Sequence, residues 1–140
     1  MRTWIASRII PTVLILAMGC ADKLSMTASQ DVEVAQGELK LQRTEDGNTR
    51  VDLKIKQLTP AERVQPGAIT YVVWAQPLAV PGAAENLGML QLSEGHRGEL
   101  RTITGLREFA VYVTAEPTPL ADRPTGKRLL WATVMQTAYR

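Results

Sequence analysis

The sequence predicts an all-β protein: a single immunoglobulin-like antiparallel β-sandwich of about seven strands that follows an N-terminal signal segment. Three observations lead to this prediction. Apolar and polar residues alternate with a period of two from Val32 onward, turn-forming residues recur at intervals of roughly 8–15 residues, and no helical periodicity follows the N-terminal segment. A length of 140 residues is typical of one such domain.

The first two predicted strands form a hairpin with one apolar face and one charged face. In residues 38–42, leucines alternate with charged or amide side chains, and in residues 51–56 aliphatic residues alternate with Asp and Lys. Between them, residues 45–48 (Glu-Asp-Gly-Asn) tolerate the positive φ angles that a tight turn requires. The alternation predicts that the lysines of this hairpin face solvent.

Five further strands are predicted along the rest of the chain. Residues 69–75 (Ile-Thr-Tyr-Val-Val-Trp-Ala) are apolar on both faces, which is typical of a central strand. Prolines and glycines mark three loops at residues 59–67, 76–85 and 117–126. The other strands are expected in residues 86–92, 99–103, 109–113 and 127–137, the last with Leu129, Trp131 and Met135 on one face.

The first twenty residues have the features of a bacterial lipoprotein signal. Arg2 and Arg8 precede an apolar stretch, residues 9–18, that is shorter than the about 20 residues needed to span a bilayer. The stretch ends in Leu-Ala-Met-Gly-Cys at residues 16–20, which resembles the lipobox, in which the Cys is acylated and becomes the new N-terminus. The alternatives are an ordinary cleaved signal with an incidental Cys, or an uncleaved anchor. We expect Cys20 to be lipidated.

This interpretation divides the chain into a signal peptide (1–19), a lipidated Cys with a polar tether (20–31) and the β-sandwich domain (32–140). The acylated Cys20 would anchor the protein in the lipid bilayer, on the periplasmic side of the bacterial envelope. In the sorting pattern of bacterial lipoproteins, an Asp directly after the Cys indicates retention at the inner membrane. Ala21 occupies that position, which favours the outer membrane.

The charge balance and the residue counts argue against several classes of function. After residue 20 the chain has equal numbers of acidic and basic residues, so we expect no electrostatic attraction to nucleic acid or to an anionic surface. A single Cys and a single His cannot supply a disulfide framework or a zinc site of the Cys/His type. We therefore expect no metal, no cofactor and no nucleic-acid partner.

Four short motifs, mostly in the second half of the chain, are similar to a known domain. They are Tyr-Val-Val-Trp-Ala-Gln-Pro at residues 71–77, Asn-Leu-Gly-Met-Leu at 86–90, Phe-Ala-Val-Tyr-Val-Thr-Ala-Glu-Pro at 109–117 and Pro-Thr-Gly at 124–126. Their order resembles the extracytoplasmic C-terminal domain of anti-sigma-K (RskA-like) factors, over residues 65–135. The resemblance implies an envelope-side β-sandwich with a role in sensing or contact. Those factors also have a helical sigma-binding domain and a transmembrane helix, and this sequence shows neither pattern, so we do not expect it to sequester a sigma factor.

Glu116 and Arg123 are candidate site residues because of the proline-rich segment that follows Glu116. A carboxylate at the end of a strand is suited to accept hydrogen bonds from backbone amides of residues 118–126, or to pair with Arg123. Either interaction would fix the loop. The alternative role for both side chains is contact with a ligand.

Trp74 is the third candidate site residue. It lies on the third predicted strand, where immunoglobulin-like sandwiches often bury a tryptophan, so core packing is its expected role. Alternatively, it could join other aromatic side chains in a binding platform for a sugar or a peptide. The remaining members of such a platform would be Tyr71, Tyr112 and Trp131.

No arrangement of residues in the sequence predicts catalysis. His96 lies in the turn at residues 94–98, where we expect it to be exposed rather than to act as a general base. The serines after the signal are Ser25, Ser29 and Ser93, and none stands in the Gly-x-Ser-x-Gly motif of a hydrolase. We therefore do not expect an enzyme.

The resulting hypothesis is a membrane-anchored lipoprotein that acts as a non-catalytic protein–protein interaction or structural module. We expect it to bind an envelope protein, of unknown identity, through the loops at one end of the sandwich or through an open strand edge. The alternative hypothesis is a β-sandwich module that binds carbohydrate or peptidoglycan, which requires at least two solvent-facing aromatic side chains.

Overall fold

The computed structural model describes residues 22–79 and 82–135, in which most of the regular structure is β-strand. The predicted signal segment and Cys20 lie outside the described residues. The strands are β1 (Asp22–Ser25), β2 (Thr27–Ala28), β3 (Gln36–Arg43), β4 (Thr49–Lys56), β5 (Thr70–Pro77), β6 (Glu85–Met89), β7 (Gln91–Ser93), β8 (Arg97–Thr104), β9 (Phe109–Glu116) and β10 (Leu130–Val134). A 3-10 helix (Gln30–Val32) and the short helix α1 (Ala61–Val64) complete the elements, and no helix in these ranges is long and apolar enough to cross a membrane.

The strands form two antiparallel sheets that pack face to face, which confirms the predicted all-β sandwich. The first sheet has the order β1-β3-β4-β8-β7, and the second has the order β2-β10-β9-β5-β6. From β3 to β10, these orders match the A-B-E-D and G-F-C strands of an immunoglobulin-like sandwich, with β6 as a further strand beside C. The N-terminal segment adds one strand to an edge of each sheet.

Two chain segments cross from one sheet to the other, which raises the number of strands above the predicted seven. The first crosses at Met26, between β1 and β2, and the second crosses at Leu90, between β6 and β7. Each crossing divides one extended segment into two short strands. Residues 22–28 also form a segment that the sequence did not predict as strand.

The predicted tether at residues 20–31 is therefore wrong for the part that the structure describes. Leu24 and Met26 pack against the main core, whereas Lys23 and Ser25, on either side of Leu24, face solvent. Gly37 makes room for Met26, because a Cβ on Gly37 would lie 2.9 Å from the Met26 sulfur. The polar residues suggested a tether, but alternate positions carry the apolar side chains of an edge strand.

The main core lies between the sheets and follows the predicted alternation. The first sheet contributes mainly leucine, valine and isoleucine from β3 and β4, and the second contributes aromatic and aliphatic side chains from β5 and β9. The largest fully buried members of this core include Leu39, Leu41, Leu53, Ile55, Tyr71 and Phe109. The predicted hairpin is confirmed as β3 and β4, in register from Gln36↔Lys56 to Arg43↔Thr49.

The last strand differs from its prediction in its start and in its orientation. β10 begins at Leu130 rather than at residue 127, and Leu130, Ala132 and Val134 point into the core. Trp131, predicted on the same face as Leu129, points outward and is 37% exposed, whereas Leu129 is buried. The preceding residues belong to a long connection, so the alternation begins one position later than the sequence suggested.

The sandwich has two ends that differ in their loops. Asp22 pairs with Leu41 beside the β3–β4 turn, and this end also holds residues 78–79, 82–84 and 105–108; we call it the proximal end. The opposite, distal end holds the β4–β5 connection, residues 57–69, and the β7–β8 turn, residues 94–96. The proline-rich residues 117–126 belong to neither end, because they fold over the outer face of the second sheet, as described below.

Leu24→Ala tests whether β1 is part of the fold. Truncation of this partly buried side chain should lower the free energy of unfolding by about 1–2 kcal/mol, since it removes apolar contacts from the core. Urea unfolding followed by circular dichroism would measure the change. Lys23→Ala, on the exposed side of the same strand, is the control and should change stability by less than about 0.5 kcal/mol. Equal, negligible effects of both variants would show that residues 22–25 are a tether after all.

Candidate functional site

Trp74 is buried, but not between the sheets. On β5, the side chains of Tyr71 and Val73 point into the main core, whereas Val72 and Trp74 belong to a separate cluster on the outer face of the second sheet. Trp74 is nevertheless inaccessible to solvent. The prediction of a buried strand tryptophan is confirmed, while its layer differs from the one typical of immunoglobulin domains.

A long connection covers this outer cluster. Residues 117–129, which we call the strap, join β9 to β10 and cross the outer face of the second sheet. The cluster consists of Val72, Trp74 and Tyr112, and Ala121 of the strap packs against it together with Ala84. The strap thus turns an exposed sheet face into a small second core.

Glu116 holds one end of the strap through hydrogen bonds to a fully buried carboxylate. Its Oε1 accepts hydrogen bonds from the backbone amide of Thr125 (2.8 Å) and that of Gly126 (3.2 Å). The Thr125 hydroxyl donates to Oε2, and the Thr114 hydroxyl donates to Oε1 at 2.7 Å. The predicted hydrogen bonds from amides of residues 118–126 are therefore present.

The same network reaches Trp74. The indole Nε1 of Trp74 donates to the Thr114 hydroxyl oxygen at 2.9 Å, and that hydroxyl in turn donates to Glu116. Because a buried polar group without a partner costs about 1–3 kcal/mol, this chain allows the indole and the carboxylate to be buried together. The positions of Trp74 and Glu116 are thus coupled through one threonine.

Asn86 of β6 holds the other part of the strap. Its side-chain amide donates to the carbonyl oxygens of Pro119 and Ala121, both at 3.0 Å, and its side-chain oxygen accepts from the Gly88 amide at 2.9 Å. Sequence analysis missed this residue. One sequence feature indicates the need for such a donor: the strap is rich in proline. Prolines lack an amide N–H, so carbonyl groups of the strap need hydrogen-bond donors from elsewhere in the chain.

Gly126 is the point where the strap comes closest to β9. A Cβ at this position would lie 2.5 Å from the carbonyl oxygen of Ala115, closer than any side chain can approach. The same residue donates its amide to Glu116. A glycine is therefore required for this close approach.

The hydrogen bonds determine the charge state of Glu116. Burial is the largest single influence and raises the pKa of its carboxyl, but hydrogen bonds from Thr125, Thr114 and the amides of Thr125 and Gly126 together outweigh it. The pKa of Glu116 is therefore held below the ordinary value, and the group is a carboxylate at neutral pH. Because its donors come from the protein and the side chain is fully buried, it is not positioned to contact a ligand.

Arg123 does not pair with Glu116, contrary to one of the two predicted interactions. Its side chain is exposed on the strap, and it makes no ion pair with any described residue. The protein's own hydroxyl and amide donors already surround the carboxylate, so no cation is needed to stabilise it. Arg128, at the end of the strap, instead places its guanidinium 4.1 Å from the ring centroid of Tyr112.

The four aromatic side chains considered for a platform do not form one. Tyr71 and Trp74 are inaccessible, Tyr112 is buried beside the strap and Arg128, and only Trp131 among them is partly exposed. Tyr71 points the opposite way from Trp74 and donates its hydroxyl to the carbonyl oxygen of Thr59. Burial, and secondarily the nearby Glu62, raise the pKa of Tyr71 to about 12, so this donor persists over the whole physiological range.

His96 is exposed at the distal end, as predicted. Gly95 and His96 have φ angles of 81° and 59°, which suit the two central residues of a type I′ turn. The His96 carbonyl accepts a hydrogen bond from the Leu58 amide at 2.8 Å, which joins this turn to the β4–β5 connection. Within residues 22–79 and 82–135, no group of three or more His, Cys, Asp or Glu side chains is arranged to hold a metal ion.

The three predicted binding loops do not lie at one end of the sandwich. Residues 59–67 are at the distal end, the described residues of the segment 76–85 are at or near the proximal end, and residues 117–126 form most of the strap. The first two loops lie at opposite ends because they join strands at opposite ends of the sandwich. The strap instead lies along the outer face of the second sheet, where hydrogen bonds to Glu116 and Asn86 hold it. A binding surface built from all three loops is therefore wrong.

One of these loops does contribute to an exposed apolar surface. Ile69 is 70% exposed, Val34 is 59% exposed and Leu92 is 54% exposed. Val34 lines a cleft of about 420 Å³, Ile69 and Leu92 line an adjoining cleft of about 320 Å³, and both clefts share Pro60 and His96. We call these five residues the distal surface. Isolated exposed aliphatic residues are ordinary, but a group around one concavity is typical of an interaction site.

Comparison with known proteins adds no functional assignment. No protein-family model matches the chain, and no curated protein matches its sequence. The resemblance to the extracytoplasmic domain of anti-sigma-K factors stays a prediction from the sequence motifs.

Glu116→Gln tests the role of the carboxylate and its dependence on pH. Replacing the acceptor oxygen by an amide group that faces hydrogen-bond donors should lower the free energy of unfolding at pH 7 by about 2 kcal/mol. A carboxyl whose pKa is lower in the folded state stabilises the fold above the ordinary value of 4.5, and this stabilisation is lost as the pH falls through the folded-state pKa. The difference in stability between wild type and variant should therefore shrink in acid.

Urea unfolding at a series of pH values would measure this difference. Glu45→Gln, at an exposed position of the β3–β4 turn, is the control and should show no such pH-dependent difference. A constant difference between wild type and Glu116→Gln across the acid range would contradict the assignment of a charged, hydrogen-bonded carboxylate.

Proposed function

We propose that this chain is a lipid-anchored protein of the bacterial envelope whose β-sandwich binds another protein and catalyses no reaction. The observation that carries the proposal is the distal surface, where aliphatic side chains are exposed around adjoining clefts. Burying one such side chain in an interface would contribute about 1.5–3 kcal/mol. The attachment to the membrane rests on the lipobox-like segment that ends at Cys20.

The loops beneath the distal surface are held in place before any partner binds. The Leu58 amide is bonded to the His96 carbonyl, and the Tyr71 hydroxyl is bonded to the Thr59 carbonyl. Leu58 itself is buried and forms the floor shared by the two clefts. Preordered loops lose little conformational entropy on association, which favours a specific protein contact.

A protein partner is favoured over carbohydrate by the chemistry of the exposed side chains. Sugar-binding surfaces use exposed aromatic rings, and of the four aromatic candidates only Trp131 is accessible, on a different face from the distal surface. The distal surface is lined by Val34, Ile69, Leu92 and Pro60, which offer aliphatic contacts. The carbohydrate-binding alternative therefore rests on a single partly exposed tryptophan.

The predicted lipidation can be tested with Cys20→Ser. In a bacterial host, the wild-type chain should incorporate an alkyne-labelled fatty acid and fractionate with membranes, because acylation at Cys20 anchors the mature protein. The variant should lose the label, since serine cannot form the thioether. Ala21→Ser is the matched control and should keep the label. Label retained by Cys20→Ser would contradict lipidation at this residue.

The distal surface can be tested by site-specific photocrosslinking in cells. A photoreactive residue at Ile69 should yield a crosslinked adduct of discrete mass with another protein, because this side chain is the most exposed of the distal surface. The same residue at Gln42, on the outer face of the first sheet, is the control. Ile69→Glu, combined with the crosslinker at Leu92, should abolish the adduct. No adduct from the distal positions, or an equal one from Gln42, would contradict the proposed surface.

A further inference from the structure

The outer face of the first sheet collects most of the basic residues of the domain. Alternation in β1, β3, β4 and β8 points one set of side chains away from the core, and we call this set the basic face. Three acidic residues lie on it: Glu38, Asp52 and Glu99. Seven cationic residues lie on it: Lys23, Lys40, Arg50, Lys54, Lys56, Arg97 and Arg101.

The net charge of the sequence does not indicate that the cations are concentrated on one face. The basic face carries an excess of four positive charges, whereas the rest of residues 22–135 carries six basic and eleven acidic side chains. The expectation from the sequence, that a neutral domain has no attraction to an anionic surface, depended on an even distribution of charge. The structure shows an uneven distribution, so one side of the molecule is strongly positive.

The cations of this face outnumber its carboxylates, and most of them are not held in ion pairs. Register places Lys54 between Glu38 and Glu99, and Asp52 between Lys40 and Arg101. Only Arg101 and Asp52 come within ion-pair distance, at 3.4 Å, and the other six cations form no ion pair with a described residue. These six charges are free to interact with an external anion.

The shape and composition of the face indicate what kind of anion it fits. Neighbouring strands lie about 4.8 Å apart, so the four strands that carry the cations spread them over a surface about 14 Å wide. A groove of about 540 Å³ at its distal end is lined by more cations than carboxylates: Lys40, Lys54, Lys56 and Arg97 against Glu38 and Glu99. No aromatic side chain of the described residues lies on this face, so it offers no stacking contact for bases or sugar rings.

We propose that the basic face lies against the anionic headgroups of a lipid bilayer. A broad array of separated lysines and arginines, without stacking groups, is suited to a surface that presents many phosphates. This inference rests on the proposed function, because it assumes that Cys20 attaches the protein to a membrane. Lys23 is three residues after Cys20 and lies on this face, and β1, the strand nearest the predicted anchor, forms an edge of the same sheet. A lipid anchor and a basic surface together bind a membrane more firmly than either does alone.

Binding of the full chain carrying Cys20→Ser to lipid vesicles tests the proposal without acylation. The protein should bind phosphatidylcholine vesicles that contain phosphatidylglycerol more tightly than vesicles of pure phosphatidylcholine, and added salt should remove the difference. Lys54→Gln/Lys56→Gln should weaken binding to the anionic vesicles by about 30-fold. Co-sedimentation or a fluorescence titration would give the affinities.

The matched control is Arg123→Gln/Lys127→Gln, which removes the same charge from exposed positions off the basic face. It should bind anionic vesicles nearly as tightly as the parent chain. Equal affinity for both vesicle types, or equal weakening by the two double variants, would overturn the proposal. Release of the protein from anionic vesicles by polyglutamate at matched charge would instead assign the face to an acidic protein segment.

These outcomes are separable from those of the proposed function. Vesicle binding by the Cys20→Ser chain does not depend on acylation, and the substituted Lys54 and Lys56 line neither cleft of the distal surface. Failure of the fatty-acid labelling would leave the vesicle result unchanged. Failure of vesicle binding, with labelling confirmed, would overturn only the role of the basic face.

Discussion

The buried carboxylate of Glu116 is the interaction on which the second half of the structure depends. A charge without access to water is stable only when donors surround it, and two of its four hydrogen bonds come from the backbone of the strap. Those bonds bring the strap over Trp74, whose indole joins the same network through Thr114. Without the strap, the aromatic cluster on the second sheet would be exposed to solvent. Glu116 therefore helps to keep the outer face of that sheet covered, together with Asn86.

The strap covers the outer face of the second sheet, whereas the distal end and the outer face of the first sheet are exposed and differ in chemistry. The distal end presents aliphatic side chains around Pro60 and His96, on loops that hydrogen bonds hold in place. The outer face of the first sheet is polar and positively charged, with Ile103 as its one large exposed apolar residue among those described. If that face lies on a membrane, the distal end remains accessible at the side of the domain. Anchoring and partner binding then use adjoining surfaces, which meet at Arg97.

Several features were predictable because they depend on neighbouring residues. The β3–β4 hairpin follows from alternation and from the turn at residues 45–48, and the hydrogen bonds of Glu116 follow from a carboxylate that precedes a proline-rich segment. Other features depend on distant residues. Asn86 donates to carbonyl groups more than thirty positions away, and no local pattern indicates that contact. Leu24 was missed because only packing on the core distinguishes an edge strand from a polar tether.

By itself, the sequence determined the all-β class, the approximate positions of most strands, the identity of the loop-fixing carboxylate and the lipobox-like segment before the domain. Each of these depends on residues only a few positions apart, because side-chain alternation and turn chemistry act locally. Only the tertiary structure decided the layer in which Trp74 is buried, the outward orientation of Trp131 and the collection of cations on one face. These depend on which strands become neighbours and where the chain crosses between sheets. Side chains far apart in sequence share a surface only once that pairing is set, so a neutral composition became a domain with one strongly basic side.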